Sequence, residues 1–357
     1  MSDNIQSIRA SFTQMRKEKA RHRDIADKLG ISEGELIAAH AGADGSETTL
    51  RAARLTSAWS DIIESLEPLG EVMALTRNPS CVHEKTGVYR KASHNGHVGL
   101  VLGGEIDLRV FYQQWAHGFA VSETTNDGTQ RSLQFFDVAG TAIHKIFLRP
   151  QSDLTAYEVL TARFRSDDQQ AGITVGTAPA AAAEKPDSEI DVAAFREGWA
   201  SLRDTHEFFG LLRRFALTRT QALRLAAPEF VQKIDAGSAT RLLDAASREG
   251  VSIMVFVGNP GMIQIHSGPV KKIATMGPWL NVLDPGFNLH LREDHIAGAW
   301  VVKKPTVDGV VTSLELFDAH GETIAMFFGE RKPGKPELCE WRALIDRLQE
   351  ESESCAA

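Results

Sequence analysis

Cysteine is scarce in this chain: Cys81, Cys339 and Cys355 are the whole supply, odd in number and without a C-x-x-C pair. That argues against a cysteine-based zinc site and suits a reducing compartment. A basic surplus is missing too, since 47 acidic side chains oppose 39 basic ones and the formal net charge is -8. Such a balance is a poor footprint for binding nucleic acid or an anionic membrane, so an anionic ligand must meet a local cluster of cations. No segment approaches the ~20 apolar residues of a membrane span. The stretch from Met1 to Asp24 is studded with Arg, Lys and Glu where a secretory signal would be apolar. The expected location is the cytoplasm, without membrane insertion. Also absent are a G-x-G-x-x-G after a strand, a Walker loop and a G-x-S-x-G elbow, which removes the usual support for nucleotide-dependent and serine-hydrolase chemistry.

What is present is a duplication. The 357 residues, 43% apolar and 24% charged, suit about two globular domains at roughly 150 residues each. A shift of 181 residues brings Asn78–Phe147 into ungapped register with the second half. It matches Asn78 with Asn259, Pro79 with Pro260, Gly87 with Gly268, Asp127 with Asp308 and Gly128 with Gly309, and it preserves an L-x-x-F-D-x-x-G pattern from Leu133 and from Leu314. An internal repeat is the physical reading of such self-similarity.

Each copy opens helically (Asn4–Leu66; Asp191–Arg248) and continues in short alternating segments broken by Gly, Pro, Asn-Gly and Asp-Gly turns (Val72–Phe147; Val251–Phe328). Helices ahead of meandering strands predict an α+β fold of two tandem homologous repeats, each a helical segment followed by an antiparallel sheet. The expected boundaries are an N-terminal repeat at 1–165, a linker at 166–190 around the Ala/Pro-rich stretch Thr177–Glu189, a C-terminal repeat at 191–345 and a tail at 346–357.

Three segments offer chemistry. Arg23–Leu36 has a helix-turn-helix cadence, and a DNA-binding regulator is the reading from another class. Its second helix would begin with Glu33 and Glu35 and would repel phosphates, so a helical hairpin packed on its own domain is the expectation, with no nucleic-acid partner. His290–His295 holds two imidazoles and two carboxylates, but with Arg292 among them and no third ligand by spacing it reads as a turn between strands. The third runs from Phe195 to Arg214. Phe195, Trp199, Leu202, His206 and Phe209 follow i, i+4, i+7, i+11, i+14 spacing, which puts His206 in an apolar helical stripe. An imidazole among aromatics, followed by Arg213, Arg214 and Arg219, supplies what a haem needs: apolar walls, an axial nitrogen and cations for two propionates. The ordinary alternative is a buried histidine bonded to a carbonyl.

The T-H-E-F-F-G-L-L-R-R-F run around His206, the L-G-I-S-x-x-E-L segment, the N-P-S-C-V-H-E-K-T-G-V-Y run around His83 and the twofold repeat together resemble bacterial haemin-degrading and haem-trafficking factors of the HemS/ChuS/PhuS/HmuS type, over roughly Ile8 to Leu344. The resemblance implies two α+β halves whose sheets form a central saddle, with haem b (iron protoporphyrin IX) held in the C-terminal half. It implies His206 as the axial iron ligand, Arg219 as a pocket arginine, and Lys304 and Arg331 at the propionates or the distal side. It further implies Arg109 reaching from the N-terminal half and Phe256 as a wall. Phe328 stands where the family often has Tyr, which removes a hydroxyl. His83 is either a second, weaker haem contact or a surface histidine. At the same shift Lys304 pairs with Glu123, Phe256 with Leu75, and Arg331 with Pro150 or its neighbour Arg149. One site in the second repeat is therefore expected, with the first as scaffold and lid.

The function so implied is that of a cytoplasmic haem-binding protein handling imported haem by trafficking or degradation to release iron. Degradation would make it a haem oxygenase-like or anaerobic radical enzyme, with Arg331 or Arg109 as the polar distal group. The implied partners are haem, a haem oxygenase or reductase, and an inner-membrane haem transporter.

Overall fold

The computed structural model describes residues 2–43, 49–178, 183–331 and 334–356, so residues 179–182 of the expected linker lie outside the described residues. Two compact units divide the chain. The first comprises Met1–Arg77, Glu84–Pro179 and Asn259–Gln264; the second comprises Asn78–His83, Ala180–Gly258 and Ile265–Ala357.

The first copy runs α1 (Ser2–Lys17), α2 (His22–Leu29), α3 (Glu33–Ala38), β1 (Leu50–Arg54), α4 (Trp59–Glu64), β2 (Val72–Arg77), β3 (Cys81–Gly87), β4 (Ala92–Asn95), β5 (Val98–Leu102), β6 (Asp107–Phe111), β7 (His117–Thr125), β8 (Gly128–Phe136), β9 (Ala142–Leu148) and α5 (Leu154–Arg163). The second runs α6 (Val192–Ala200), α7 (Glu207–Phe215), α8 (Arg219–Leu225), β10 (Val231–Ile234), α9 (Ser238–Glu249), β11 (Ile253–Asn259), β12 (Met262–Gly268), β13 (Ile273–Met276), β14 (Trp279–Asp284), β15 (Phe287–Arg292), β16 (Gly298–Thr306), β17 (Gly309–Phe317), β18 (Thr323–Gly329) and α10 (Cys339–Ala356). The expected α+β class holds, and among the described residues the strands form two antiparallel sheets of nine strands each. Within the first unit the order is β1-β7-β8-β9-β2, with β4-β5-β6 as a meander; within the second it is β10-β16-β17-β18-β11, with β13-β14-β15. Residues 346–356 of the expected tail continue α10, along which Leu344, Ile345 and Leu348 are buried.

Register shows why the repeat keeps its motifs. Glu123 faces Gln130 across β7 and β8, and Lys304 faces Val311 across β16 and β17, positions 181 apart. A bulge falls between Phe135 and Phe136 and again between Leu316 and Phe317. In F-D-x-x-G the aspartate holds the turn: Asp137 Oδ1 accepts from the N–H groups of Ala139 (2.9 Å) and Thr141 (2.8 Å), and Asp318 Oδ1 from those of His320 (2.8 Å) and Glu322 (3.0 Å). The closing glycines, Gly140 and Gly321, sit at φ +76° and +79°, where a side chain would be strained.

The Asn-Pro segments are exchanged between the units. Asn78, counted with the second unit, donates through Nδ2 to Gly258 O (3.1 Å) and Ile324 O (2.8 Å). Asn259, counted with the first, donates to Arg77 O (2.9 Å) and Ile143 O (2.9 Å), the same carbonyls one repeat earlier.

Both sheet faces are covered by helices, α4 and α5 opposite α1–α3 in the first unit and α9 and α10 opposite α6–α8 in the second. The would-be DNA-reading helix α3 is buried at Glu33, Gly34, Leu36, Ile37 and Ala38. Its Glu33 carboxylate accepts from Lys145 Nζ and Arg77 on the sheet, so α3 packs on its own domain and presents no groove-reading face.

Candidate functional site

The site region begins with a helix that breaks. The continuous apolar stripe expected from Phe195 to Phe209 is corrected: α6 stops at Ala200, and α7 starts at Glu207. Phe195, Trp199 and Leu202 are buried as expected, but the His206 side chain is 90% exposed and Phe209 is 64% exposed. The cause is a side-chain-held turn in D-T-H-E. Asp204 Oδ1 accepts from the His206 N–H (2.8 Å), while Glu207 Oε2 accepts from the N–H groups of Arg203 (2.8 Å) and Asp204 (3.4 Å). The new helix takes its own phase, burying Phe208, Leu211 and Leu212. His206, Phe209, Gly210 and Arg213 are left on its exposed face, with the Arg213 guanidinium 4.9 Å from the Phe209 ring centre. The His206 Nδ1–H donates to Asp204 Oδ1 at 2.6 Å, and Nε2 has no hydrogen-bond partner among the described residues.

Behind α7 lies a buried ion cluster. Thr218 caps α8, its hydroxyl accepting from Gln221 N–H (3.2 Å), which aims Arg219 at the sheet. The Arg219 guanidinium grips Glu315 bidentately (2.6 and 2.7 Å), Lys304 Nζ donates to Glu315 Oε1 (2.9 Å), and Ser313 Oγ donates to the same oxygen (3.0 Å). Phe208 lies against both cations, 5.2 Å from the guanidinium carbon and 4.8 Å from the ammonium. Burial alone would raise the Glu315 carboxyl, but Arg219 and then Lys304 outweigh it and hold it below the usual carboxylate range. Burial pushes Lys304 down to about 8, with Glu315 opposing. The trio keeps one net positive charge in a place where bare charges are costly. Sequence reasoning missed Glu315; its signal was a lone acid in L-E-L-F, between two core leucines of one strand.

Beside this cluster the sheet carries an apolar platform. On β11 and β18 the residues Ile253, Val255, Val257, Ala325 and Phe327 face the core. Met254, Phe256, Met326 and Phe328 alternate with them and are only half-buried. Met254 pairs with Phe328 and Phe256 with Met326, and the Phe256 and Phe328 ring centres are 4.9 Å apart. Met326 also pairs with Glu315, and Phe328 with Ser313. Directly opposed residues of an antiparallel pair share a face, so platform and ion cluster are neighbours on one surface.

The remaining expected residues fall differently. Arg331, just past β18, has its guanidinium 3.9 Å from Asp308 Oδ2 in the β16–β17 turn. Val307 N–H of that turn donates to Arg203 O (3.0 Å), which ties the His206 turn to the same hairpin. Arg109 lies in the first unit on β6, where its guanidinium meets the Asp107 carboxylate and Leu108 O (3.1 Å). His83 is no surface histidine: it is fully buried, its ring 5.0 Å from Phe287, which stacks on His266 at 3.8 Å. In the His290–His295 segment, Arg292 pairs with Asp294 (2.6 Å) while His295 Nδ1 and Ser80 Oγ lie 3.0 Å apart. Among the described residues no group of three or more His, Cys, Asp or Glu is arranged to hold a metal. No described helix is long and apolar enough to cross a membrane.

A family model described as a haemin-degrading HemS.ChuX domain matches residues 30–164 and again 216–348. The chain belongs to the HemS/ChuX family. Among HemS/ChuX relatives, a hemin transport protein HmuS of Yersinia pestis is 40% identical over 343 residues, covering 94% of this chain and 96% of the relative. The crystal structure of holo-PhuS, a heme-binding protein from Pseudomonas aeruginosa, superposes with a TM-score of 0.92 at 46% identity over 96% of this chain and 99% of its own. That of ChuS, an Escherichia coli heme oxygenase, does so with a TM-score of 0.84 at 38% identity, over 96% and 99%. The doubled HemS/ChuX match falls on the two copies related by the 181-residue shift, and the second match begins at Ala216, so His206 lies ahead of it.

Proposed function

We propose that this HemS/ChuX chain is a haem-binding protein that handles imported haem in the cytoplasm, with iron protoporphyrin IX seated on the second unit. The observation that carries this reading is the His206 imidazole, exposed, tethered at Nδ1 and open at Nε2, in the same unit as a half-buried Met/Phe platform flanked by cations. Its chemistry fits the ligand. Haem brings a Lewis-acidic iron, a flat apolar ring and two carboxylates. Nε2 would take the iron, Met254, Phe256, Met326 and Phe328 would cover ring surface, and Arg219, Lys304 and Arg331 would attract the propionates. Relatives described as a heme-binding protein and a hemin transport protein support carriage. Reversible delivery would call for a partner such as a haem oxygenase or reductase and, upstream, an inner-membrane haem transporter.

Ring opening is the second reading, favoured by the likeness to ChuS. It would need a polar group near the bound iron, a role for which Arg331 is the candidate in the same unit.

The test is titration of haemin into wild type and His206→Ala. Wild type gives a sharp Soret band with histidine-ligated iron. The variant loses that signature, and affinity falls by at least the roughly 10–100-fold that loss of a ligand's supporting partner alone costs. Unchanged spectra and affinity would remove the assignment. Turnover of bound haem with catalase present, with and without oxygen, separates the two activities: iron release with a defined tetrapyrrole marks the enzyme, and transfer of intact haem to an acceptor marks the carrier.

A further inference from the structure

We infer that Asp204 is a positioning residue for the iron ligand: its carboxylate holds the Nδ1–H of His206, presents Nε2 to the haem iron and strengthens that nitrogen as a donor. The inference rests on the reading of His206 given above and says how that ligand is tuned.

One carboxylate oxygen serves two donors of the same residue. Asp204 Oδ1 accepts from the His206 backbone N–H at 2.8 Å and from the ring at 2.6 Å. The first bond holds the turn ahead of α7. The second is not needed for that, because the turn is already held from its other end by Glu207 on the N–H groups of Arg203 and Asp204. Among the described residues the ring has no other hydrogen-bond partner, and with the side chain 90% exposed no packing fixes its orientation. Asp204 is therefore what selects the ring's rotation and its tautomer. An ionised carboxylate only accepts, so the proton sits on Nδ1 and the lone pair on Nε2. A carboxylate on the far nitrogen also raises ligand basicity, which favours ferric over ferrous iron and lowers the reduction potential. The spacing D-x-H carries this device in the sequence.

Asp204→Asn and Asp204→Ser test it, because both residues can accept from the N–H two residues on while neither supplies an anion to Nδ1. The readouts are the iron–imidazole stretching band of the ferrous five-coordinate protein, the ferric/ferrous midpoint potential, haemin affinity and the thermal midpoint. The expected result is a stretch at lower frequency, a higher potential and ferric affinity reduced about 10–100-fold, with thermal midpoints unchanged. Ser should depart further than Asn, whose amide oxygen still accepts from Nδ1–H. Should Ser melt early, Asn decides. A stretch and potential equal to wild type in Asp204→Asn, with His206 still the ligand, would overturn the role of Asp204. Loss of histidine ligation in wild type, or its survival in His206→Ala, would instead bring down the reading on which it rests.

Discussion

The two copies repeat one strand order, one register and even one bulge, yet they treat the same surface in opposite ways. In the second unit the platform position Met326 is half-buried and apolar. In the first, the residue 181 positions earlier is Lys145, buried and bound to Glu33 of α3, with Arg77 on the other carboxylate oxygen. Burial would raise Glu33, but Lys145 and Arg77 bring it down to about 2. A neighbouring pair is inverted too. Where the second unit has Lys304 and Glu315, the first has Glu123 and Gln134, and Glu123 is gripped by Arg16 (2.5 Å) and His22 (3.0 Å). The first unit spends its charges fastening helices onto the sheet. The second ties its charges into one compact cluster, leaves the platform open and sets an exposed imidazole on α7. A site can thus be made from a scaffold by removing a clasp as much as by adding a ligand.

The largest expected effect strikes what the copies have in common. Glu33→Gln and Glu315→Gln each leave two cations facing a neutral amide in the interior, and removing one partner of a buried pair costs about 3–5 kcal/mol. Both variants should unfold at clearly lower urea than wild type. A loss under about 1 kcal/mol in Glu315→Gln alone would mean that Lys304 sheds its proton instead of remaining a stranded cation, and the two clusters would then not be equivalent.

A smaller effect sharpens the difference between the copies. Met326→Lys places the residue of the first unit on the platform of the second, opposite a Glu315 carboxylate that Arg219 and Lys304 already occupy. An ammonium beneath an apolar macrocycle loses hydration without gaining a partner, on the order of 2 kcal/mol or about thirtyfold in affinity. Isothermal titration with haemin measures it; unchanged affinity would separate this face from the site.

Much of this was legible in the chain itself, and the exceptions have physical causes. The 181-residue shift anticipated strand register because the Asp and Gly of each turn make local bonds that any copy must repeat. The exchange of Asn78–His83 and Asn259–Gln264 was not legible, since each Asn makes identical bonds and only the identity of the accepting copy differs. Of the candidate residues, His206, Arg219, Lys304, Arg331 and Phe256 fall in one unit. The stripe that was to bury His206 misled because apolar spacing ran on through a helix start, where the Asp204 turn breaks the phase. Glu315 escaped because a buried acid is recognisable only once its cations are known to converge, and those lie 11 and 96 residues away in sequence.

The smallest effect concerns Lys304 and has a sign that distinguishes the copies. Its ammonium titrates at about 8, below the ordinary 10.5, because burial outweighs Glu315. Between those values the folded chain binds fewer protons than the unfolded one, so this group makes stability rise with pH from about 8 toward 10.5 and leaves it flat below. Attraction for an anionic ligand moves the other way, because the charge disappears over the same rise. Haemin affinity should therefore fall as pH passes through about 8, by less than about tenfold, since Lys304 is one cation among several beside the platform. Lys304→Arg should remove the step by keeping the charge, and Lys304→Gln should remove it by never having one. In the first unit Glu123 occupies the position, where burial would raise it but His22 and Arg16 hold it below the usual carboxylate range, so the residue at that position does not titrate near 8. An identical decline in Lys304→Arg would place the titrating group elsewhere and dissolve this contrast between the copies.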